Sequence, residues 1–250
     1  MTAGDSGGLD LIDLREAPTS PLLRDFIALY DATFTDEAER EDPGQWAGRL
    51  ASNLAPPQPR SHLLLAGEGL ARGGREIRGG IVFEHYRESR CGLLTYVVVD
   101  PRHRRSGLGG RLVAAATATL EAEAQALGAP LRAVFGEAED PAQMAGRRSA
   151  MPPADRLAAF AALGARRIPF AYVQPELDGG QGRARHLHFL AFPLGGRSLD
   201  SIEGAIVRDF LHEFYRALGV RRPEEDPDFR AMSRSLAGRL PLAPPGGSSA

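Results

Sequence analysis

The chain contains no lysine, and all 30 of its basic residues are arginine. This removes the phosphate-binding loop in which a lysine after the second glycine reaches the outer phosphates. Beside abundant Arg, Ala, Gly and Pro, the bias reads as a codon preference. Cysteine is nearly as scarce: the single Cys91 excludes an internal disulfide or a cysteine-rich metal site. At the start of an apolar run, Cys91 is expected to be buried and inert. No apolar run reaches the roughly 18 residues of a membrane span, and the N-terminus lacks a secretion signal's charged-then-apolar layout. A cytoplasmic protein with no membrane partner is therefore expected. The net charge of −2 supplies no basic field, so no nucleic-acid partner is expected either. There is no internal repeat and no Gly-x-Ser-x-Gly elbow. His212-Glu213-Phe214-Tyr215-Arg216 opens like a zinc helix but lacks its second histidine, and it reads as a solvated helix face. His186 and His188 share a strand face and would need a third ligand to bind a metal, so none is expected.

What the chain does have is concentrated between Leu93 and Gly128. LLTYVVVD is a continuous apolar, β-branched run that reads as a buried strand, and RLVAAATATLEAEAQALG is an alanine-rich helix. Asp100 and Pro101 stop the strand; Arg102, Arg104, Arg105 and Arg111 crowd the junction; Gly107, Gly109 and Gly110 stand where the helix begins. A helix N-terminus presents unpaired N–H groups and the positive end of the dipole, and glycine lets an anion approach that backbone closely. A dinucleotide fingerprint needs a third small residue where Leu112 stands and a tighter turn after the strand, so it fits poorly. The remaining readings are a plain glycine-rich turn and an anion cradle in the run Arg104-Arg105-Ser106-Gly107-Leu108-Gly109.

That R-x-x-G-x-G run, preceded by a strand ending Val-Asp-Pro, resembles the coenzyme A motif of the GNAT superfamily of acyl-CoA-dependent N-acetyltransferases. The rest of the chain is read as follows: a strand over 9–14, helices from Pro21 and over 42–54, and strands at 61–67, 80–86 and 93–99. The cradle helix leads to a strand over 131–137, an irregular loop over 138–153, a helix over 155–163 closed by Gly164, and strands at 168–174 and 186–192. This β-α-α-β-β-β-α-β-α-β-β order resembles that of GNAT domains. It implies an α+β fold with a mixed, mostly antiparallel sheet flanked by helices and a C-terminal helical extension. The expected divisions are a flexible start at 1–8, an acetyltransferase domain at 9–194, a helical extension at 195–243 and a disordered tail at 244–250. In the extension, 202–218 is amphipathic through Ile206, Val207, Phe210, Leu211, Phe214 and Leu218, and 228–240 reads as a second helix. Either these helices pack on the core or they meet another subunit, with a homodimer as the possible assembly.

The resemblance also implies a site. Acetyl-CoA is the expected co-substrate, with its pyrophosphate on the N–H groups from Arg105 to Gly110 (Ser106, Gly107, Leu108 and Gly109 between them) and with charge added by Arg104 and Arg105. By the same resemblance the strand at 93–99 bulges and splays from that at 131–137. The coenzyme's arm then pairs near Val97 and Val99, and the backbone of Val98 or Val97 becomes the oxyanion donor. The acceptor implied is a primary amine on a small molecule or peptide, attacking the thioester directly. Many members place a tyrosine four residues before the glycine that ends the late helix; here Phe160 stands there, and a phenyl ring has no proton to give. Tyr172 is the first substitute and Tyr96 the second. Glu137 is the expected base, with Glu84 and His85 as competitors. A catalytically silent acyl-CoA-binding or sensing module, or a transferase for a different acyl group, are the alternatives.

Overall fold

The computed structural model describes residues 8–34, 41–144, 151–177, 182–195 and 198–246. Apart from Gly8 and 244–246, the expected loose start and disordered tail lie outside the described residues. In chain order the elements are β1 (Leu9–Asp13), α1 (Pro21–Thr33), α2 (Trp46–Ala51), β2 (Arg60–Glu68), β3 (Glu76–Tyr86), β4 (Cys91–Val99), α3 (Leu108–Ala126) and β5 (Ala133–Glu139). There follow α4 (Pro153–Ala162), β6 (Arg166–Arg167), β7 (Leu187–Phe192), β8 (Ser201–Glu203), α5 (Gly204–Ala217), α6 (Pro227–Ser235) and β9 (Arg239–Pro241). Seven strands form one sheet in the order β1-β2-β3-β4-β5-β7-β6, antiparallel throughout except between β4 and β5. The crossover between these two parallel strands is α3, as a parallel connection requires.

Both faces of the sheet are covered, which is why β4 is apolar without alternation. On one face Leu94, Val134, Leu190 and Phe192 pack against Leu112, Ala116 and Leu120 of α3 and Leu157 of α4. The other face is divided. Leu65, Val82, Tyr96 and Val98 lie under Phe26, Tyr30 and Trp46 of α1 and α2. Tyr86, Leu93, Phe135 and Phe189 lie under Phe210, Phe214 and Tyr215 of α5 and Phe229 and Met232 of α6. The C-terminal helices therefore pack on the sheet of the same chain. The chain end returns to the sheet edge as well, where Arg167 and Ala243 exchange backbone hydrogen bonds of 2.8 and 2.9 Å.

Several expectations are corrected. The strand expected over 168–174 does not form: the paired strand is β6, at Arg166–Arg167 just before it, after which the chain leaves the sheet. Pro169 has no N–H for a ladder, and Tyr172 and Val173 are buried in the cluster built by α5 and α6 instead. The amphipathic segment becomes helical only at Gly204, because Ser201–Glu203 pairs with β9. Gly204 is required there: a Cβ would lie 2.3 Å from the Leu236 carbonyl oxygen. The second C-terminal helix ends at Ser235, the helix expected over 42–54 is a regular α-helix only over Trp46–Ala51, and β5 extends through Ala138 and Glu139. The face expected to be solvated at 212–216 is largely buried. Glu213, 1% exposed, accepts hydrogen bonds from Glu88 N (3.0 Å), Ser89 N (2.7 Å) and Ser89 Oγ (2.7 Å), pinning α5 to the β3–β4 turn. Cys91 is buried, and burial pushes its thiol up to about 12.

Candidate active site

The site begins with a fault in the sheet. The β3–β4 register shifts between Val82 and Phe83, which pair with Tyr96 and Leu94, so Thr95 is an extra residue in β4. Such a bulge bends its strand and increases the twist. β5 pairs with β4 only as far as Leu94 and Gly136, and the two strands are unpaired beyond that point. Asp100 N donates to Arg78 O at 2.9 Å, which fixes the phase of the ladder. Val98 thus turns its backbone groups to β3, while those of Val97 and Val99 face the gap. Arg104 Nε reaches back to the Val99 carbonyl at 3.4 Å.

At the end of β4 the turn is held internally. Asp100 accepts from Arg102 N at 2.8 Å and from the Arg102 guanidinium at 2.7 Å, and this hydrogen bonding holds the carboxyl below its usual range. Ser106 Oγ donates to His103 O at 2.7 Å. Arg105 and Gly107 adopt left-handed conformations with φ of 62° and 79°, so the chain enters α3 without a capping side chain and with no acidic residue in the first turn. The first helical bond is Arg111 N to Gly107 O, which leaves the N–H groups before Arg111 without intrahelical partners. Arg104, Arg105 and Gly107 to Gly110 border a cavity of about 1170 Å³. A Cβ at Gly109 would touch only Val99 Cγ2, at 3.8 Å. The space in front of this glycine is cavity, not packed protein.

The same cavity continues along the gap between β4 and β5. Val97, Val99, Thr95, Tyr96 and Glu137 border it, whereas Val98 and Ser106 do not. Glu137 stands one residue past the last parallel pair. Gln174 Nε2 donates to its Oε2 at 2.9 Å, and Tyr172 Oη donates to its Oε1. Burial raises its pKa to about 7, against the lowering effect of those two donors. Tyr172 is 3% exposed, its ring stacks on Phe189 at 4.8 Å between centroids, and its side chain is behind the cavity wall rather than on it. Of the competing bases, Glu84 borders the cavity, accepts from Tyr86 Oη at 3.0 Å and has its pKa raised mainly by burial. His85 points elsewhere, with Nδ1 3.1 Å from Glu123 Oε2. Phe160 does border the cavity, edge-on to Phe192 at 5.5 Å.

Two features were not read from the sequence. Gln174 was passed over, although its spacing of two from Tyr172 puts both side chains on one face of an extended segment. The other is that Phe214, Ala217, Leu218 and Gly219 line the cavity. The C-terminal segment therefore builds part of the wall. His186 also borders the cavity, while His188 faces Asp140 at 3.5 Å. Among the described residues no three His, Cys, Asp or Glu side chains converge as metal ligands, and no helix is long and apolar enough to cross a membrane.

A bulged β4, a splayed parallel partner and an uncapped glycine-rich helix start are the features that the GNAT resemblance implies. Residues 23–135 match the family model described as Acetyltransferase (GNAT) family. Among solved structures, the tandem GNAT protein from the clavulanic acid biosynthesis pathway is 18% identical. The match covers 67% of this chain and 46% of that one, with a TM-score of 0.50. Aminoglycoside 6'-acetyltransferase type Ii is 16% identical over 76% of this chain and 99% of that one, with a TM-score of 0.48. The ribosomal-protein-S18-alanine N-acetyltransferase from Escherichia coli is 14% identical over 76% and 97%, with a TM-score of 0.46. At these identities the likeness is one of fold. No curated protein matches.

Proposed function

We propose that the protein is an N-acetyltransferase that moves an acetyl group from acetyl-CoA to a primary amine of a small molecule or peptide by direct attack. One observation carries this reading: the open N-terminus of α3, the edge of Val97 and Val99 that no strand pairs and the Glu137 carboxyl all border one cavity. When bound, acetyl-CoA supplies an activated acyl group with a thiol leaving group. The free N–H groups from Gly107 to Gly110, with the charge of Arg104 and Arg105, receive the pyrophosphate. Val99 and Val97 extend their edge to the amide arm as a strand would, and Val97 N–H is the donor toward the developing oxyanion. Val98 is not, because its N–H is committed to β3.

Glu137 takes the proton from the acceptor ammonium. A lysine-like ammonium has a pKa of about 10.4, so an ordinary carboxyl is about six units too weak a base. Burial narrows that gap to about three units. General bases of this kind typically contribute about 10²- to 10⁴-fold in rate. Tyr172 acts through Glu137 and not on the departing thiolate, since its hydroxyl already donates to the carboxylate. The second nitrogen proton leaves toward the thiolate through water, because Phe160 has no proton to give.

Stabilisation by a panel of acyl-CoAs, followed by thiol release with a panel of amines, tests the reading. Glu137→Gln should lower turnover about 10²- to 10⁴-fold with acetyl-CoA affinity intact. Unchanged turnover would overturn the role of Glu137. Phe160 favours a second reading, an acyl-CoA-binding module without turnover. It requires stabilisation by acetyl-CoA and no thiol release with any amine. Preferential stabilisation by a longer acyl-CoA would instead indicate transfer of a different acyl group.

A further inference from the structure

The segment that carries both donors to Glu137 has left the sheet. Ile168 N makes its last bond to β7, at 3.0 Å to Phe189 O, and the next bond of this kind to a neighbouring strand-like segment is Gln174 N to Ala184 O at 2.9 Å. Between them, the backbone bonds that tie the segment to the rest of the described residues come from the C-terminal helices. Tyr215 Oη donates to Val173 O at 2.7 Å, and Val173 N donates to Met232 Sδ at 3.3 Å. Val173 is flanked by Tyr172 and Gln174, whose side chains share the opposite face and donate to the two oxygens of Glu137. Tyr215 is fully buried, with its ring against Phe229 at 5.5 Å. Burial raises its pKa, so the phenol is a neutral donor throughout the working range.

We propose that Tyr215 is a positioning residue: its hydroxyl holds the Val173 carbonyl, and through Val173 it holds the two donors that fix the Glu137 carboxylate at the cavity wall. The inference rests on the reading of Glu137 as base. It assigns the C-terminal helices a part in the chemistry that packing alone does not require. The titratable groups facing Glu137 are Glu84 and Tyr86 from β3 and Tyr172 from the segment itself. None of these is a cation, so the neutral donors held by Tyr215 are what favours the ionised carboxylate.

The test is kcat/KM against pH for Tyr215→Phe, which removes only the oxygen, using an amine found in the acceptor panel. With its donors loosened, Glu137 should titrate higher, moving the acid limb up by about one pH unit. A limb moved by that amount lowers the rate about fivefold at pH 7, with the difference closing above the limb. Tyr172→Phe and Gln174→Leu should move the limb in the same direction. A loss of rate by the same factor at every pH, or an unmoved limb, would overturn the proposal. If Tyr215→Phe does not fold, Met232→Leu removes the other tie to Val173 at nearly constant volume, and a limb unmoved in that variant counts against the proposal equally. Infrared difference titration of the Glu137 carboxyl, with Glu137→Gln as the blank, needs no acceptor. It separates the two ideas: full turnover in Glu137→Gln defeats the base, while an infrared midpoint unchanged by Tyr215→Phe defeats the positioning role.

Discussion

The end of the cavity proposed to receive the coenzyme is built by one continuous stretch, Val97 to Gly110. The end proposed to receive the acceptor collects Glu84 from β3, Glu137 from β5, Gln174 from the segment after β6 and Phe214 from α5. At the first end the working groups are backbone N–H groups, whose direction is set by strand phase and by the start of a helix. At the second they are side chains drawn from separate parts of the chain, with Glu137 held by Tyr172 and Gln174. A backbone cradle tolerates most substitutions but not the loss of its glycines. An assembled pocket tolerates neither a lost donor nor a shifted helix. The largest test of this contrast is therefore at Gly109. The protein leaves room for a Cβ there, so Gly109→Val should fold with a melting temperature close to wild type. Its branched side chain occupies the approach to the open N–H groups, and acetyl-CoA affinity should fall about 100-fold or more, as for a ligand deprived of several charge-assisted hydrogen bonds. Arg104→Ala, which spares those donors, should weaken binding less than tenfold, in line with a partly exposed charge contact worth about 1 kcal/mol. Equal losses in the two variants by calorimetric titration would mean that side-chain charge, not backbone, does the binding.

The contrast also bears on how the C-terminal helices are held. Glu213 is a buried carboxylate with two backbone N–H donors and one hydroxyl donor. Glu137 has two neutral side-chain donors and faces a cavity. The first is satisfied and closed, which suits a structural latch; the second is open to a partner. Glu213→Ala strands the buried Ser89 N–H and releases Glu88 N, while Ser89 Oγ keeps Tyr86 O at 3.4 Å, and breaking bonds to a buried charged group costs about 2 to 3 kcal/mol. Denaturant unfolding should show that loss. Because α5 supplies Phe214 and Leu218 to the cavity, the same variant should lose acceptor turnover before it loses acetyl-CoA binding. If both fall together, the two ends of the cavity are less independent than their construction indicates.

The difference in construction explains what the sequence made legible. The cradle could be read because strand, turn and helix start follow one another in the chain and carry local signals: β-branched residues, Asp-Pro, and glycines at helix-opening positions. The order of elements followed from the same local signals. Glu137 and Tyr172 were named from their places on expected strands, but the bond between them depends on the chain leaving the sheet after Arg167, which a strand reading of 168–174 does not contain. Gln174 shares a face with Tyr172 on any extended reading of 168–174, but its bond to Glu137 depends on the same departure. The C-terminal amphipathic stripe announced that α5 is buried, yet Phe210 and Phe214 do not encode which face of the sheet receives them. Glu213 was misread because a charged residue within a helix looks solvated until its partners, more than a hundred residues away, are known.

The smallest expected effect sharpens the comparison of the two carboxylates. Glu137 has a folded pKa of about 7 against an ordinary value of 4.5, so the folded state binds its proton more tightly than the unfolded chain does. Its contribution to stability is therefore fully present below the unfolded value, is lost as pH rises between the two values, and stays lost above pH 7. The full linkage corresponds to about 3 kcal/mol, and relaxation around a carboxyl that faces a cavity should reduce the observed effect to about 1 to 2 kcal/mol. Glu137→Gln does not titrate. The variant should be no more stable than wild type at pH 5, where both side chains are neutral in the folded state, and more stable at pH 8, where only the wild type must keep a buried charge facing Glu84 and Tyr86. Thermal unfolding of both proteins across this range, without ligand, measures the crossing. Parallel curves would mean that the carboxyl is solvated in the folded state, and the account of Glu137 as a base strengthened by burial would fall with them.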